Sequence, residues 1–197
     1  ADTESWNGTN WTEVNDLNTS RYIAMGAGTD NTASLCFGGF GPPPTTSQAK
    51  TELWNGTNWS EQNDMSNARD GGGGAGTETA AIAMSGSSPG QITASELWTG
   101  AGVPVGVWAT ANAMNTARIR SGGAGTKENA LAYGGSPGSK NETETWNGTN
   151  WTEVNNLNTA RHYLAGIGSD NTNALAITGN TPGGATADVE TWNGTNW

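Results

Sequence analysis

Short apolar segments alternate with glycine-rich and polar segments along the whole chain, always in the same order. Each unit has a glycine-rich segment such as "GGGGAGT", a polar turn, an apolar run such as "AAIAMSG", and then a Glu-x-Trp segment. No stretch keeps the apolar spacing of three and four residues that a helix needs. The pattern therefore predicts short strands joined by turns, in an all-β protein.

The ten tryptophans fall into five pairs that set the length of the repeat. The first members of the pairs stand 44 to 48 residues apart, at Trp6, Trp54, Trp98, Trp146 and Trp192. Four short strands in a unit of this length are typical of one blade of a β-propeller. We label these strands a to d from the propeller axis outward, and we expect the glycines of strand a to let the inner strands approach closely.

An Asn-Gly dipeptide follows the first tryptophan of most pairs and predicts a two-residue hairpin turn between strands c and d. If Asn147 and Gly148 form that turn, Trp146 faces Thr149, and the two tryptophans lie diagonally on one face of the blade. We expect them to form core between neighbouring blades rather than a platform for sugars.

The repeat resembles the kelch-repeat family, including the central propeller of galactose oxidase. The resemblance is carried by the Gly-Gly pairs that end strand b (Gly38–Gly39 and Gly134–Gly135), by the spacing to Trp, and by an Arg before strand a. Two units depart from it, with Ser85–Gly86 and Thr178–Gly179 in place of Gly-Gly. The segment "WNGTNWTEVNNLNTAR" is also similar to kelch-like arrays in virion and tail-associated proteins of marine phages. The resemblance implies a kelch-like propeller, and an extracellular or virion-associated location.

The first and last eleven residues agree at nine positions, which indicates how the propeller closes. We expect one domain over residues 1–197 with four blades, the last completed by strands from both termini. The blades would span about 21–68, 69–117, 118–160, and 161–197 together with 1–20. Two alternatives stay open: the terminal copies belong to a longer array, or they pair between chains and cause self-association.

Composition and charge argue against several classes of function. The net charge is −10, with 18 acidic and 8 basic residues and no basic run, so we expect no nucleic-acid partner. No apolar run of about 18 residues exists, so we expect no membrane insertion. His162 and Cys36 are the only residues of their types, which is too few for a zinc or copper site. We therefore predict no catalysis, no metal and no cofactor.

Three further motifs have structural interpretations that we prefer. Cys36 fits a small buried apolar residue, and it stands in a different blade from His162. The "RDGGGGAGT" segment at residues 69–77 corresponds to "RIRSGGAGT" in another unit, so we expect an inner strand rather than a phosphate-binding loop. The "TDNT" and "SDNT" segments fit hairpin turns stabilised by Asp and Asn rather than calcium ligands.

The units differ most in the connections between strands b and c, which are rich in Pro, Gly and Ser. We expect these loops to share a face with the connections before strand a. The sequence therefore predicts a non-catalytic recognition propeller that binds a protein or a cell-surface glycan through this face. The candidate binding residues are Phe40, Pro43, Lys50, Gln91, Lys140, Asn141, Arg21, Arg69, Arg118 and Arg161.

Two alternatives remain at this point. The four repeated arginines either gather on this face to meet an acidic partner, or pair with the Glu-x-Trp glutamates inside each blade. The protein as a whole is either a recognition module or a purely structural element of a virion or extracellular assembly.

Overall fold

The computed structural model describes residues 2–41, 46–100 and 105–197. Within those ranges the chain forms antiparallel strands and turns and no helix, so no described helix is available to cross a membrane. Four sheets of three or four strands succeed one another as blades, and one separate hairpin precedes them. The prediction of an all-β, four-bladed β-propeller is confirmed.

Each blade is one antiparallel sheet with its strands in chain order. The hairpin that precedes the blades has β1 (Thr3–Trp6) and β2 (Trp11–Val14). Blade I has β3 (Met25–Asp30), β4 (Ala33–Phe37), β5 (Thr51–Trp54) and β6 (Trp59–Glu61). Blade II has β7 (Gly73–Gly76), β8 (Ala80–Met84), β9 (Ser95–Thr99) and β10 (Val107–Ala111). Blade III has β11 (Gly122–Gly125), β12 (Ala130–Tyr133), β13 (Thr143–Trp146) and β14 (Trp151–Val154). Blade IV has β15 (Ala165–Asp170), β16 (Asn173–Thr181) and β17 (Gly184–Trp192).

The inner strands β3, β7, β11 and β15 lie side by side and touch through their backbones. An ideal Cβ on Gly123 of β11 would lie 3.0 Å from the carbonyl oxygen of Gly74 in β7. One on Gly166 of β15 would lie 2.5 Å from the carbonyl oxygen of Gly123. A side chain does not fit at such distances, so the glycines of strand a are required by close approach, as the sequence predicted.

The apolar core lies between successive blades. Between blades I and II, for example, Leu35 and Phe37 of β4 pack against Ala81, Ala83 and Trp98 of the next blade. The first tryptophan of a pair is at most 5% exposed in all four blades. The first tryptophans of the pairs are therefore core residues in all four blades, as the sequence predicted. Their large buried area compensates for the few aliphatic residues of the chain.

In blades II, III and IV, the second tryptophan of a pair joins its blade to the preceding one. Its indole N–H donates to a hydroxyl on strand c of that blade, at 2.9 to 3.1 Å. The three bonds run from Trp108 to Thr51, from Trp151 to Ser95, and from Trp197 to Thr143. Each bond fixes the register of one blade against its neighbour, because it gives a buried indole N–H an acceptor. In blade I, the buried indole N–H of Trp59 has no hydrogen-bond partner among the described residues.

The turn between strands c and d differs from the prediction. Trp146 pairs directly with Trp151, so the four residues 147–150 form the turn instead of two. The side-chain oxygen of Asn147 accepts the backbone N–H groups of two of these residues, at 2.9 and 3.0 Å. This Asx-type turn needs positive φ only at Gly148, where φ is 88°. The two indole rings therefore face one another across the strands, with centroids 5.3 Å apart, and are not diagonal.

The closing blade also differs from the prediction. Among the described residues, β2 pairs only with β1, and β17 pairs only with β16. The hairpin packs beside blade I instead, where Nδ2 of Asn15 donates to the c–d turn residues Thr57 and Asn58 at 2.9 and 2.8 Å. The physical reason is that β1 already gives β2 the strand-c partner that β17 was expected to provide.

Candidate functional site

The connections after strand b and the segments before strand a meet on one face of the propeller, as the sequence predicted. In every blade the residue after the repeated Arg forms a bridge with a residue that follows strand b, or in blade IV with one near the end of β16. The four bridges are Tyr22–Phe40, Asp70–Ser87, Ile119–Ser136 and His162–Asn180. We call this surface the loop face: it comprises the two residues after each repeated Arg and the b–c connections.

The second residue after each repeated Arg has left-handed backbone, with φ between 47° and 62°. These residues are Ile23, Gly71, Arg120 and Tyr163. The backbone N–H of each later one donates to the carbonyl of its counterpart in the preceding blade, for example from Tyr163 to Arg120 at 2.9 Å. Left-handed backbone is uncommon for Arg and Tyr and a clear outlier for Ile, and such strain clusters at functional positions. These hydrogen bonds thus connect four residues of different types in a row around the propeller axis.

Besides a cavity of about 370 Å³ between the b–c connections of blades I and II, the loop face has three cavities that Arg120 lines. One of about 290 Å³ lies between blades I, II and III and includes Phe40. One of about 230 Å³ lies at the axis and includes Ile23 and Tyr163. The largest, of about 490 Å³, lies between blades II, III and IV and includes Gln91 and His162. A ligand entering any of the three would meet the same guanidinium.

Arg120 differs from the other seven basic residues, all of which lie in the described ranges. Six of those seven form ion pairs, and Nζ of Lys127 donates to the hydroxyl of Thr99. The Arg120 side chain is exposed, and no carboxylate of the described chain pairs with it. Its guanidinium carbon lies 4.5 Å from the centroid of the Tyr163 ring. This cation–π contact orients the guanidinium without neutralising it, so its donors are available to an anion.

The four repeated arginines lie inside the blades, with side chains 0% exposed. Each forms an ion pair with the Glu-x-Trp glutamate of its own blade: Arg21 with Glu52, Arg69 with Glu96, Arg118 with Glu144, and Arg161 with Glu190. Burial lowers the pKa of Arg69 and Arg118, and the paired glutamate opposes that effect. Of the two interpretations left open by the sequence, the internal ion pair is the one that the structure supports. A surface ligand cannot reach these arginines.

Each of these glutamates also accepts hydrogen bonds from the backbone just before the repeated Arg. In blade III the two oxygens of Glu144 accept N–H groups from Asn115 and Thr116, at 2.7 and 3.1 Å. The same pair of bonds recurs in the other three blades. The Glu-x-Trp carboxylates therefore hold strand c to the connection that enters the blade.

Of the remaining predicted binding residues, some line the cavities of the loop face and others do not. Phe40 and Gln91 line the cavities. Lys50 lines none of the three, and its ammonium lies 3.3 and 3.8 Å from two carboxylates. Lys140 also lies outside them, 3.9 Å from the carboxylate of the nearby residue 142. The Asn141 amide donates to a backbone carbonyl at 3.4 Å.

Pro43 lies outside the described residues. A ligand-binding role for Lys50, Lys140 and Asn141 stays a prediction.

Sequence reasoning missed Arg120, Tyr163 and Ile23. Tyr22 also lies on the loop face, with its ring centroid 5.5 Å from that of Phe40. The missed signal is a comparison of the four units at the two positions after the repeated Arg. These positions read Tyr-Ile, Asp-Gly, Ile-Arg and His-Tyr, so no residue type recurs at either position.

The other motifs have structural roles. Cys36 lies in blade I and His162 in blade IV, and burial raises the pKa of the Cys36 thiol, which keeps it protonated. In the "TDNT" turn, the hydroxyl and backbone N–H of Thr32 donate to Asp30 and lower the pKa of that carboxyl. Asp170 is held by Thr172 in the same way. These are the turn hydrogen bonds that the sequence predicted.

No protein-family model matches the sequence, and a comparison with curated proteins gives no match. Among solved structures, the chain is similar to that of YjhT, a propeller-type protein, with a TM-score of 0.79. The likeness covers 95% of this chain and 71% of that chain, at 13% sequence identity. At this identity the likeness shows the propeller fold alone.

Proposed function

We propose that this protein is a non-catalytic recognition propeller that binds an acidic partner, a protein or a surface glycan, through the loop face. One observation carries the proposal: Arg120 stands uncompensated where three cavities meet. The fork of guanidinium donors suits carboxylate, sulfate or phosphate groups in bidentate geometry. In a chain of net charge −10, Arg120 is the one arginine of the described residues without a carboxylate partner, which restricts where an anion can bind in bidentate geometry.

The surroundings of Arg120 support recognition of a polar partner. The largest cavity adds the amide of Gln91 and the hydroxyls of Ser139 and Thr181 to its lining. Tyr22 and Phe40 add apolar contact area on the opposite side of the loop face. A few polar groups beside aromatic surface are the usual composition of a binding site for a small chemical group.

We also propose that the blades are of the kelch type. At the end of strand b, Gly38 and Gly39 have φ of 63° and 103°, and Ser85 and Gly86 have φ of 60° and 109°. The two units that depart from Gly-Gly therefore keep the backbone shape that the glycine pair adopts. We further propose an extracellular or virion-associated location, which is supported by the "WNGTNW" motif alone.

The proposed lack of catalysis rests on how the titratable groups are used. The Glu-x-Trp carboxylates of the blades are occupied by arginine and backbone N–H groups, in four equivalent environments. General acid–base catalysis needs unlike environments that separate the pKa values of two groups. The raised pKa of Cys36 also removes the thiolate that a nucleophilic mechanism requires.

An array of acidic peptides and of neutral and anionic oligosaccharides tests the proposal. The wild type is compared with Arg120→Ala and with Lys127→Ala, which removes the same charge from the a–b turn on the opposite face. We expect acidic probes to bind the wild type and Lys127→Ala, and binding to Arg120→Ala to be at least about tenfold weaker, as for a guanidinium hot spot.

Acidic-probe binding that is equal in both variants would refute the role of Arg120. Absence of binding to every probe would favour the structural alternative, in which the propeller is an element of an assembly without a ligand.

A further inference from the structure

We propose that the cavity of about 290 Å³ between blades I, II and III binds a small zwitterion, a free α-amino acid with an apolar side chain. The carboxylate of Asp70 binds the ammonium group of this ligand, and the guanidinium of Arg120 binds its carboxylate. The inference deepens the proposed function and rests on it for the role of Arg120. It adds a site for a cation, which the proposed function does not contain.

Asp70 is a buried carboxylate without a cation beside it. It is 9% exposed. The other buried carboxylates of the described residues, those of Glu52, Glu96 and Glu144, each form an ion pair with a repeated Arg. No ion pair of the described chain involves Asp70, although all eight basic residues lie within the described ranges. A buried charge is costly unless it is paired, so this exception indicates a ligand that supplies the cation.

The contacts of Asp70 hold its carboxylate in place and leave one oxygen available. The hydroxyl of Ser47 donates to Oδ2 at 2.7 Å. Two backbone hydrogen bonds with Ser87, of 3.2 and 2.9 Å, hold the main chain. No hydrogen bond from the described residues reaches Oδ1, and Asp70 lines the cavity. A fixed carboxylate with a free acceptor loses little conformational entropy when it binds an ammonium group.

Arg120 lines the same cavity but does not neutralise Asp70. Its backbone N–H donates to the carbonyl of Gly71, the residue after Asp70, at 2.5 Å, so the two chain segments are neighbours. The side chains nevertheless form no ion pair, because the guanidinium lies over the Tyr163 ring. Two opposite charges therefore line one cavity without contacting each other. An α-amino acid carries its ammonium and carboxylate groups on one carbon atom, and so can bridge two such charges.

The rest of the cavity favours a small ligand with an apolar side chain. Ile23, Phe40, Pro89 and Ile119 contribute apolar surface to the lining. The volume of about 290 Å³ is at the lower end of the range of roughly 300–1,000 Å³ for small-molecule pockets. Apolar walls beside a few charged groups are the usual composition of such a site.

The repeat supplies this pair of charges once. At the two positions after the repeated Arg, an acidic residue occurs only in blade II and an arginine only in blade III. The corresponding residues of blades I and IV are Tyr-Ile and His-Tyr. We therefore expect one amino-acid site in the described chain.

Isothermal titration calorimetry with three matched probes tests the proposal. Leucine carries both charges, isocaproate lacks the ammonium group, and isoamylamine lacks the carboxylate. Each probe is titrated into the full chain and into Asp70→Asn, Arg120→Ala and Asp188→Asn. Asp70→Asn removes the charge and keeps an acceptor for the Ser47 hydroxyl. Asp188→Asn is the matched control, because it makes the same exchange at an exposed residue that does not line the cavity.

We expect the wild type and Asp188→Asn to bind leucine at least about tenfold more tightly than either one-charge probe. Asp70→Asn should weaken leucine binding at least about tenfold without weakening isocaproate binding, because isocaproate has no ammonium group. Arg120→Ala should weaken the binding of leucine and isocaproate but not that of isoamylamine. Thermal unfolding checks that each variant is folded, and the comparison of the three probes on the wild type is decisive without any variant.

Equal affinity of the wild type for leucine and isocaproate would refute the role of Asp70 and leave the proposed anion site at Arg120 intact. Leucine binding that survives Arg120→Ala would refute the role of Arg120 in both proposals. A blocked dipeptide of Lys and Glu presents the same two charges farther apart. Absence of leucine binding, whether or not this dipeptide binds, would overturn the assignment to a free amino acid.

Discussion

Burial decides what each arginine does. Arg118 and Arg120 are two residues apart in the sequence, yet the first is fully buried beside Glu144 and the second is exposed over Tyr163. A buried charge must be paired and hydrogen-bonded, whereas an exposed guanidinium can exchange water for a ligand. The sequence identified the repeated arginines because they recur, but recurrence marks the framework of a repeat protein. The functional candidate is the arginine that occurs in one unit only.

The buried ion pairs predict a difference between two glutamates at the same position of the repeat. Glu144→Ala leaves the Arg118 guanidinium and two backbone N–H groups without their acceptor, and should lower the free energy of unfolding by about 3–5 kcal/mol. Glu4 is exposed and has no ion pair in the described chain, so Glu4→Ala should cost less than about 0.5 kcal/mol.

Chemical denaturation of both variants measures the difference in unfolding free energy. Similar losses for both substitutions would refute the assigned role of the Arg–Glu pairs.

Strand order within a blade could be predicted from the sequence, because apolar runs, glycine runs and Trp spacing each mark a different strand. The c–d turn could not, since Asn-Gly suggested two turn residues and the Asn147 side chain instead closes a turn over residues 147–150. The left-handed residues after each Arg were also missed. Their conformation depends on hydrogen bonds between blades, which are absent from any local pattern.

The contact between inner strands predicts which glycines tolerate a methyl group. Gly166→Ala places a Cβ against the backbone of Gly123 and the Tyr133 hydroxyl, and should reduce stability by about 1–3 kcal/mol through overpacking. Gly183→Ala is the control, because its nearest atom would be 3.6 Å away and its φ is not left-handed. We expect that substitution to change stability by no more than about 0.5 kcal/mol in thermal unfolding. Equal stability of the two variants would contradict the close approach of β11 and β15.

At the scale of the whole molecule, the repeat builds a nearly uniform scaffold and places most of its differences on one face. The c–d turn has the sequence "NGTN" in the hairpin and in blades I, III and IV, whereas blade II has the longer connection "TGAGVPVGV" at residues 99–107. The Asn side chains of these turns, and the Asp side chains of the "TDNT" and "SDNT" turns, form hydrogen bonds within the framework. On the loop face, the same positions carry different residues in each blade, and three cavities converge there on Arg120. A scaffold that varies at one surface is suited to recognition. The fold class was predictable from the repeat, whereas the centre of the candidate site depended on three-dimensional structure.

Backbone-amide NMR, with the protein titrated by the acidic probe that binds it best, tests whether an acidic ligand binds the loop face through Arg120. We expect the largest shift changes at residues 22–24, 70–72, 119–121 and 162–164, and we expect Arg120→Ala to abolish them and Lys127→Ala to preserve them. Shift changes concentrated at the a–b and c–d turns of the opposite face, or unchanged in Arg120→Ala, would contradict this expectation.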